Sequence, residues 1–183
     1  GLPDNCSLDA GPNLCIDKAL VGDVTATPGG FVAHMSSLMC NASSDINTFV
    51  EDIVVTDPFV DFNATLDPPN GVTVNNVSAT FDDVTNYNLG GASNPSWSTA
   101  LFDLSGYDGT ASNSTFTTGT AAARTLMGGQ CVELEYTITF QTQDEFVGNR
   151  ILAAGTGSDS SNQNGSFTIG GGSGGLEGSG PEP

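Results

Sequence analysis

The sequence contains very few basic residues. Its 183 residues include 3 Lys and Arg against 21 Asp and Glu, which gives a formal net charge of −18. A surface of this charge repels phosphate groups, which argues against nucleic acid and anionic membranes as partners. The acidity favours solubility in a salty or extracellular setting, with divalent cation binding as the alternative. No apolar run approaches the length of a membrane span, so we expect none.

The chain also lacks the usual catalytic motifs. Its only histidine, His34, lies inside a predicted strand, and no G-x-S-x-G sequence occurs, so no nucleophile–His–acid set is available. Nothing singles out a pair of carboxylates for glycoside hydrolysis. From these absences we predict a protein that is not an enzyme and that carries no cofactor.

The four cysteines form no C-x-x-C pair, and one histidine cannot complete a zinc site with them. Disulfides are the simpler explanation, and they predict an extracellular or cell-surface protein. Cys40 ends one predicted strand and Cys131 begins another, and these ends meet if the strands pair antiparallel. We therefore pair Cys40 with Cys131 and Cys6 with Cys15, although four cysteines permit three connectivities.

Six Asn-x-Ser/Thr sequons occur, where composition alone would give about three. They predict a glycosylated surface, and chance in an Asn-, Ser- and Thr-rich chain is the alternative. The sequons begin at Asn5, Asn41, Asn63, Asn76, Asn113 and Asn164.

Strand-forming residues dominate, and helix formers are scarce, which predicts an all-β fold. The clearest strand is CVELEYTITF at 131–140, where apolar and polar residues alternate with a period of two. We predict an antiparallel β-sandwich over residues 14–159. An N-terminal arm at 1–13 precedes it, and a Gly/Ser-rich tail at 160–183 follows.

The middle region, 66–127, contains three further strand-like segments, GVTVNNVSATF, STALFDLSG and STFTTGTA. The segment that begins at Asp103 and includes Asp108 is predicted to be a solvated turn, and its weak match to a calcium-binding loop makes calcium binding the alternative. Trp97, Tyr87 and Tyr107 are the only aromatic candidates for a glycan-binding surface.

Three polar residues share the apolar parity of their strands. Lys18, the only lysine, does so in LCIDKALV, Asp57 in DIVVTDP, and Asn149 in the strand that closes the sandwich. An inward Lys, carboxyl and carboxamide are the parts of an intramolecular isopeptide bond, in which a neutral amine attacks the amide. The default expectation is a buried Lys18–Asp57 salt bridge capped by the Asn149 amide, and the isopeptide bond is the alternative.

The tail contains one strand-like segment, SFTI, formed by Ser166, Phe167, Thr168 and Ile169. A segment of this kind can add to the open sheet edge of a neighbouring subunit and produce head-to-tail growth. We therefore treat these four residues as candidate intersubunit contacts.

The strand motifs, in order, resemble a surface-repeat domain called domain of unknown function eleven. The resemblance runs through LCIDKAL, TPGGFV, DIVVTDPF, GGQCVELEYTITF and GNRILAAGTGSD. It includes a lysine on the first strand, a Pro-Gly turn before the second, and an asparagine that opens the last. This family implies an Ig-like or transthyretin-like fold in secreted, cell-wall, surface-layer or filament proteins.

Together these features predict a structural subunit of an extracellular filament, pilus or surface layer, whose partner is another copy of the chain. A secreted adhesin or carbohydrate-binding module, with cell-surface glycans as partners, is the alternative.

Overall fold

The computed structural model describes residues 2, 6–60, 74–91, 93–110, 112–120, 123–142, 148–149, 151–158 and 166–173. These residues form eleven β-strands and one short 3₁₀ turn, and all pairing between named strands is antiparallel. The predicted all-β antiparallel sandwich is thereby confirmed. No helix among the described residues is long and apolar enough to cross a membrane.

The first sheet has the strand order β1-β3-β8-β6, and β2 also pairs with β3. Its long central partners, β3 and β8, pair from Phe31 opposite Phe140 to Cys40 opposite Cys131. The strands of this sheet are β1 (Leu14–Leu20), β2 (Thr25–Thr27), β3 (Gly30–Asn41), β6 (Val74–Asn88) and β8 (Gln130–Thr142).

The second sheet has the order β11-β10-β4-β7, and a separate two-stranded ribbon joins β5 to β9. Its strands are β4 (Phe49–Thr56), β7 (Leu126–Met127), β10 (Ile151–Ser158) and β11 (Ser166–Ser173). The ribbon consists of β5 (Phe59–Val60) and β9 (Gly148–Asn149). The sheet therefore includes β11, which lies beyond the predicted domain end at residue 159.

Alternation along β8 places one row of side chains in the core. The row from Val132 to Phe140 is buried at every second position, while Glu135 between them is exposed. Core residues from the second sheet, among them Ile53, Val55 and Ile151, complete the same apolar cluster. Because the strand period is two, this pattern also decides which polar side chains point inward.

Strand β4 begins three residues before the predicted start at residue 52. The register between β4 and β10 shifts at Gly155, and Asp52 has a positive φ of 54°. A Cβ on Gly155 would lie 2.8 Å from the backbone oxygen of Glu51, so glycine allows this close approach. The bulge interrupts the alternation of buried and exposed residues along β4. The period-two pattern therefore does not extend to the first residues of this strand.

The middle region differs from the prediction. Of the three expected segments, only GVTVNNVSATF becomes part of a long strand, β6. STALFDLSG contains the 3₁₀ turn Thr99–Leu101, and STFTTGTA makes only isolated bridges. Aromatic packing holds this part in place: Phe102 stacks on Phe81 at 4.0 Å between ring centroids, and Phe116 packs edge-on against Tyr136 at 5.0 Å.

Candidate functional site

Lys18 lies on the inward face of β1, and its charged end is buried. Its Nζ donates to both carboxylate oxygens of Asp57, at 2.7 Å to Oδ1 and 2.6 Å to Oδ2. The Lys18 and Asp57 side chains are 1% and 0% exposed. Nζ also lies 5.5 Å from the ring centroid of Tyr136, within the range of a cation–π contact. The ion pair therefore joins the first strand of one sheet to the end of β4 in the other.

Asp57 follows β4 directly and is held by its backbone as well as its side chain. Its N–H donates to the Ser114 carbonyl oxygen at 2.9 Å. Its own carbonyl oxygen accepts a 2.6 Å hydrogen bond from the Tyr107 hydroxyl. These bonds keep the carboxylate in one position, where it meets Lys18.

Tyr136 donates its hydroxyl to Oδ2 of Asp57 at 2.5 Å, and its oxygen lies 3.2 Å from the Ser37 hydroxyl. Strand alternation predicts Tyr136 only as a core residue, Tyr107 is predicted only as a candidate glycan contact, and no sequence feature identifies Ser37. A buried tyrosine hydroxyl usually needs a polar partner, and this was the available signal. Ser37 is also the cross-strand partner of Lys18, and β1–β3 pairing places the two on one face.

Burial changes the acid–base properties of the site. It lowers the pKa of the Lys18 amine, against the opposing effect of the nearby Asp57 carboxylate. Burial and then the Asp57 charge raise the pKa values of Tyr107 and Tyr136 well above 10.0, so both tyrosines stay protonated hydrogen-bond donors. Desolvation therefore favours the neutral forms of Lys18, Tyr107 and Tyr136.

Asn149 lies on β9 opposite Phe59, two residues beyond Asp57. It is 1% exposed, and its Nδ2 donates to the carbonyl oxygens of Asp57 and Pro58, at 3.2 Å each. Within the described part of the chain, its Oδ1 is buried and has no hydrogen-bond partner. The structure thus brings the three sequence-predicted residues together around Asp57, with one amide oxygen left without a donor.

The structure contains both predicted disulfides. Cys40 and Cys131 are direct partners on β3 and β8, and Cys6 is joined to Cys15 on β1. The second bond ties the N-terminal arm to the first sheet, where Asp9 also pairs with Ser43. No free cysteine remains.

The sequons fall into three groups. Asn76 and Asn113 are exposed, while Asn5, Asn63 and Asn164 lie outside the described residues. Asn41 is 0% exposed, and its side chain bonds to the Asn13 N–H at 3.0 Å and the Leu126 carbonyl oxygen at 3.2 Å. Because a glycan has no room there, Asn41 must be removed from the predicted glycosylation sites.

The segment that weakly matches a calcium-binding loop forms two local turns. Asp103 accepts hydrogen bonds from Ser105, and Asp108 accepts them from Thr110. Among the described residues, no group of three or more His, Cys, Asp or Glu side chains could hold a metal ion. The carboxylates thus stabilise the turns of their own loop.

Two of the three aromatic candidates for a glycan-binding surface are unavailable. Trp97 and Tyr107 are 3% and 5% exposed, and their polar atoms bind backbone oxygens. Only Tyr87 is partly exposed. These three residues therefore do not form a flat aromatic surface for a sugar.

The strand-like tail segment forms the edge of the second sheet. Ser166–Ser173 is β11, and it pairs with β10 of the same chain from Ser158 opposite Ser166 to Ile151 opposite Ser173. The predicted intersubunit residues 166–169 therefore lie in this ladder.

No family model matches the chain, and no curated protein matches it. Among solved structures, the chain is similar to AvmM, described as catalysing macrocyclization in alchivemycin A biosynthesis. The likeness covers 96% of this chain and 93% of that chain, with 12% sequence identity and a TM-score of 0.37. A likeness at this TM-score assigns neither a fold family nor a reaction to this chain.

This comparison corrects one prediction. We predicted from the missing motifs that the chain is not an enzyme, whereas this structural neighbour is described as a catalyst. The prediction is therefore wrong where it excludes every kind of enzyme, because missing catalytic motifs rule out only the mechanisms that use those motifs.

Proposed function

We propose that the chain is a structural subunit of an extracellular filament, pilus or surface layer, in which copies exchange their C-terminal strands. The observation that carries this proposal is the position of β11. It is the last described element, it lies at a sheet edge, and it pairs with β10 over eight residues. Residues 159–165, outside the described part, connect it to β10.

An edge strand held through its backbone can be replaced by the same strand of another copy. The ladder contacts are then identical, because main-chain hydrogen bonds do not depend on which chain supplies the strand. Without β11, the edge of β10 is an open template for strand addition. Each copy thus has one strand to donate and one edge to accept it, which gives a head-to-tail interface that continues into a fibre.

Other features support an extracellular setting. The two disulfides are typical of oxidising compartments, and two sequons are exposed. The resemblance of the strand motifs to a surface-repeat domain supports the same role. The high negative charge keeps free subunits apart in dilute salt, so we expect salt to favour assembly.

Variants with one added cysteine, beyond the four in the native disulfides, test the strand exchange directly. Ala154 and Gly170 are cross-strand partners in β10 and β11, and Ala154 is exposed. Chains with Ala154→Cys are mixed with chains carrying Gly170→Cys under assembly conditions and then oxidised. Strand exchange predicts a disulfide-linked heterodimer on a non-reducing gel. As the control, Ser166→Cys replaces Gly170→Cys, because residue 166 pairs four residues away, about 13 Å along the strand.

Electron microscopy of the same material completes the test. Fibres or sheets with a regular repeat, lost when residues 164–183 are deleted, support a structural subunit. Monodisperse particles with no heterodimer across a range of salt concentrations would overturn the proposal. Fibres that survive the deletion would show assembly through another surface and would overturn strand exchange.

A further inference from the structure

We propose that Lys18 and Asn149 form an intramolecular isopeptide bond, with Asp57 as the proton carrier. This inference does not depend on strand exchange, which uses other parts of the chain. It rests on the contacts of three buried side chains on different strands.

The contacts bring the amine and the amide to one residue. Lys18 Nζ contacts the Asp57 carboxylate at 2.6 and 2.7 Å, and Asn149 Nδ2 contacts the Asp57 carbonyl oxygen at 3.2 Å. All three residues are buried, so water is largely excluded. Asp57 thus contacts the nucleophile through its carboxylate and the amide through its backbone carbonyl oxygen, and all three residues lie in a buried part of the core.

The amide oxygen of Asn149 gives the second, independent observation. This buried Oδ1 has no hydrogen-bond partner within the described part of the chain, although buried polar atoms are nearly always satisfied. A protonated Asp57 carboxyl can donate a hydrogen bond, and in this proposal it donates to Oδ1. A hydrogen bond to Oδ1 polarises the carbonyl and prepares its carbon for attack.

The reaction begins with proton transfer from the Lys18 ammonium to the Asp57 carboxylate. Burial lowers the pKa of Lys18 and thereby favours the neutral amine. Nζ then forms a bond to Cγ of Asn149, and the Cγ–Nδ2 bond breaks. Asp57 passes a proton to the leaving nitrogen and receives the one that the attacking nitrogen releases, so neutral ammonia leaves and Asp57 ends protonated. No oxidant or other reactant is needed.

The product removes an electrostatic problem from the core. A buried ion pair keeps two desolvated charges, whereas the amide and the protonated carboxyl are neutral. Tyr136 still lies within hydrogen-bond distance of Asp57, so the carboxyl keeps a partner.

The bond also determines how the chain carries force. It joins residue 18 to residue 149, so tension applied at the two ends passes through the cross-link. Residues 19–148 are then protected from extension. We therefore expect the bonded chain to lengthen much less under force than the unbonded one.

Lys18 is the only lysine, which makes a clean test possible. The natively folded chain is denatured, reduced, treated with an amine-reactive reagent and digested. The proposal predicts an unlabelled ε-amine, a peptide linking residues 18 and 149, and a chain lighter than its sequence by one ammonia. Full labelling of Lys18 with no loss of mass would overturn it and leave an ordinary ion pair.

Variants identify the roles of the residues. Asn149→Ala and Asp57→Asn should each restore labelling of Lys18, and the exposed control Asn113→Ala should not. The unmodified chain decides the main question, so a variant that fails to fold leaves the test intact. Labelling that stays blocked in Asn149→Ala would show that Lys18 reacts with another group and would overturn the assigned partner.

Discussion

The buried pair of Lys18 and Asp57 predicts that losing one partner is far more damaging than losing both. A double-mutant cycle tests this by comparing the reference, two single variants and the double variant. All four proteins also carry Asn149→Ala, so that no covalent bond to Lys18 can form. Lys18→Met leaves a carboxylate that is 0% exposed and whose remaining side-chain donor among the described residues is the Tyr136 hydroxyl. Asp57→Val leaves a buried amine, which can lose its proton because burial lowers the pKa of Lys18.

The expected magnitudes follow from the desolvation of each charge. An unpaired buried charge costs about 3–5 kcal/mol of unfolding free energy, so we expect this loss for Lys18→Met and a smaller loss for Asp57→Val. The double variant Lys18→Met/Asp57→Val should lie within about 2 kcal/mol of the reference. Its Tyr136 hydroxyl keeps Ser37 as a partner, and the backbone bonds of residue 57 remain.

Urea unfolding at pH 7, followed by fluorescence of the single buried Trp97, gives the four free energies. For a chain of this size the Lys18→Met loss corresponds to a fall in Tm of roughly 6–20 °C. The reasoning is refuted if the double variant is as unstable as the sum of the two single variants, because an additive result means that the charges do not interact.

Three further predictions concern pH, close packing and the disulfides. The free energy of unfolding should fall above pH 10.5 by about 1.4 kcal/mol per pH unit for each of Tyr107 and Tyr136, because only the unfolded chain releases their protons there and Lys18 is neutral in both states. Base titration of either Tyr→Phe variant should halve the total slope, and an unchanged slope would contradict this prediction. Gly128→Ala should destabilise by more than about 2 kcal/mol in urea, because its Cβ would lie 1.9 Å from a backbone oxygen of the β3–β4 loop, whereas Gly106→Ala, with open space around it, should change stability by less than about 0.5 kcal/mol. Replacing both cysteines of the β3–β8 disulfide by serine should cost about 4.5 kcal/mol and those of the arm disulfide about 2.5 kcal/mol, because the closed loops span 91 and 9 residues; equal losses in calorimetry would contradict the loop-entropy argument.

The inward direction of Lys18, Asp57 and Asn149 was predictable because strand alternation is local. Each residue shares parity with apolar neighbours on its own strand, and a period of two needs no knowledge of the partner strand. The pairing of Cys40 with Cys131 followed from the same kind of reasoning about strand ends.

The irregular middle region was not predictable in this way. Strand-forming residues in STALFDLSG and STFTTGTA suggested regular strands, but their aromatic side chains pack against β6 and β8 and prevent a continuous ladder. β propensity reflects how a residue fits its neighbours, and those neighbours come from distant parts of the chain. The same packing buries Trp97 and Tyr107, which the sequence analysis had considered for sugar binding.

The sequence by itself determined the all-β class, the antiparallel sandwich and the inward face of the strands that carry Lys18, Asp57 and Tyr136, because composition and alternation are properties of short segments. Only the tertiary structure decided that Tyr136, Ser37 and Tyr107 complete the site, and that β11 closes the sheet edge next to β10. These contacts join residues up to 99 positions apart, and such a distance is crossed only when the sheets pack and water leaves the space between them.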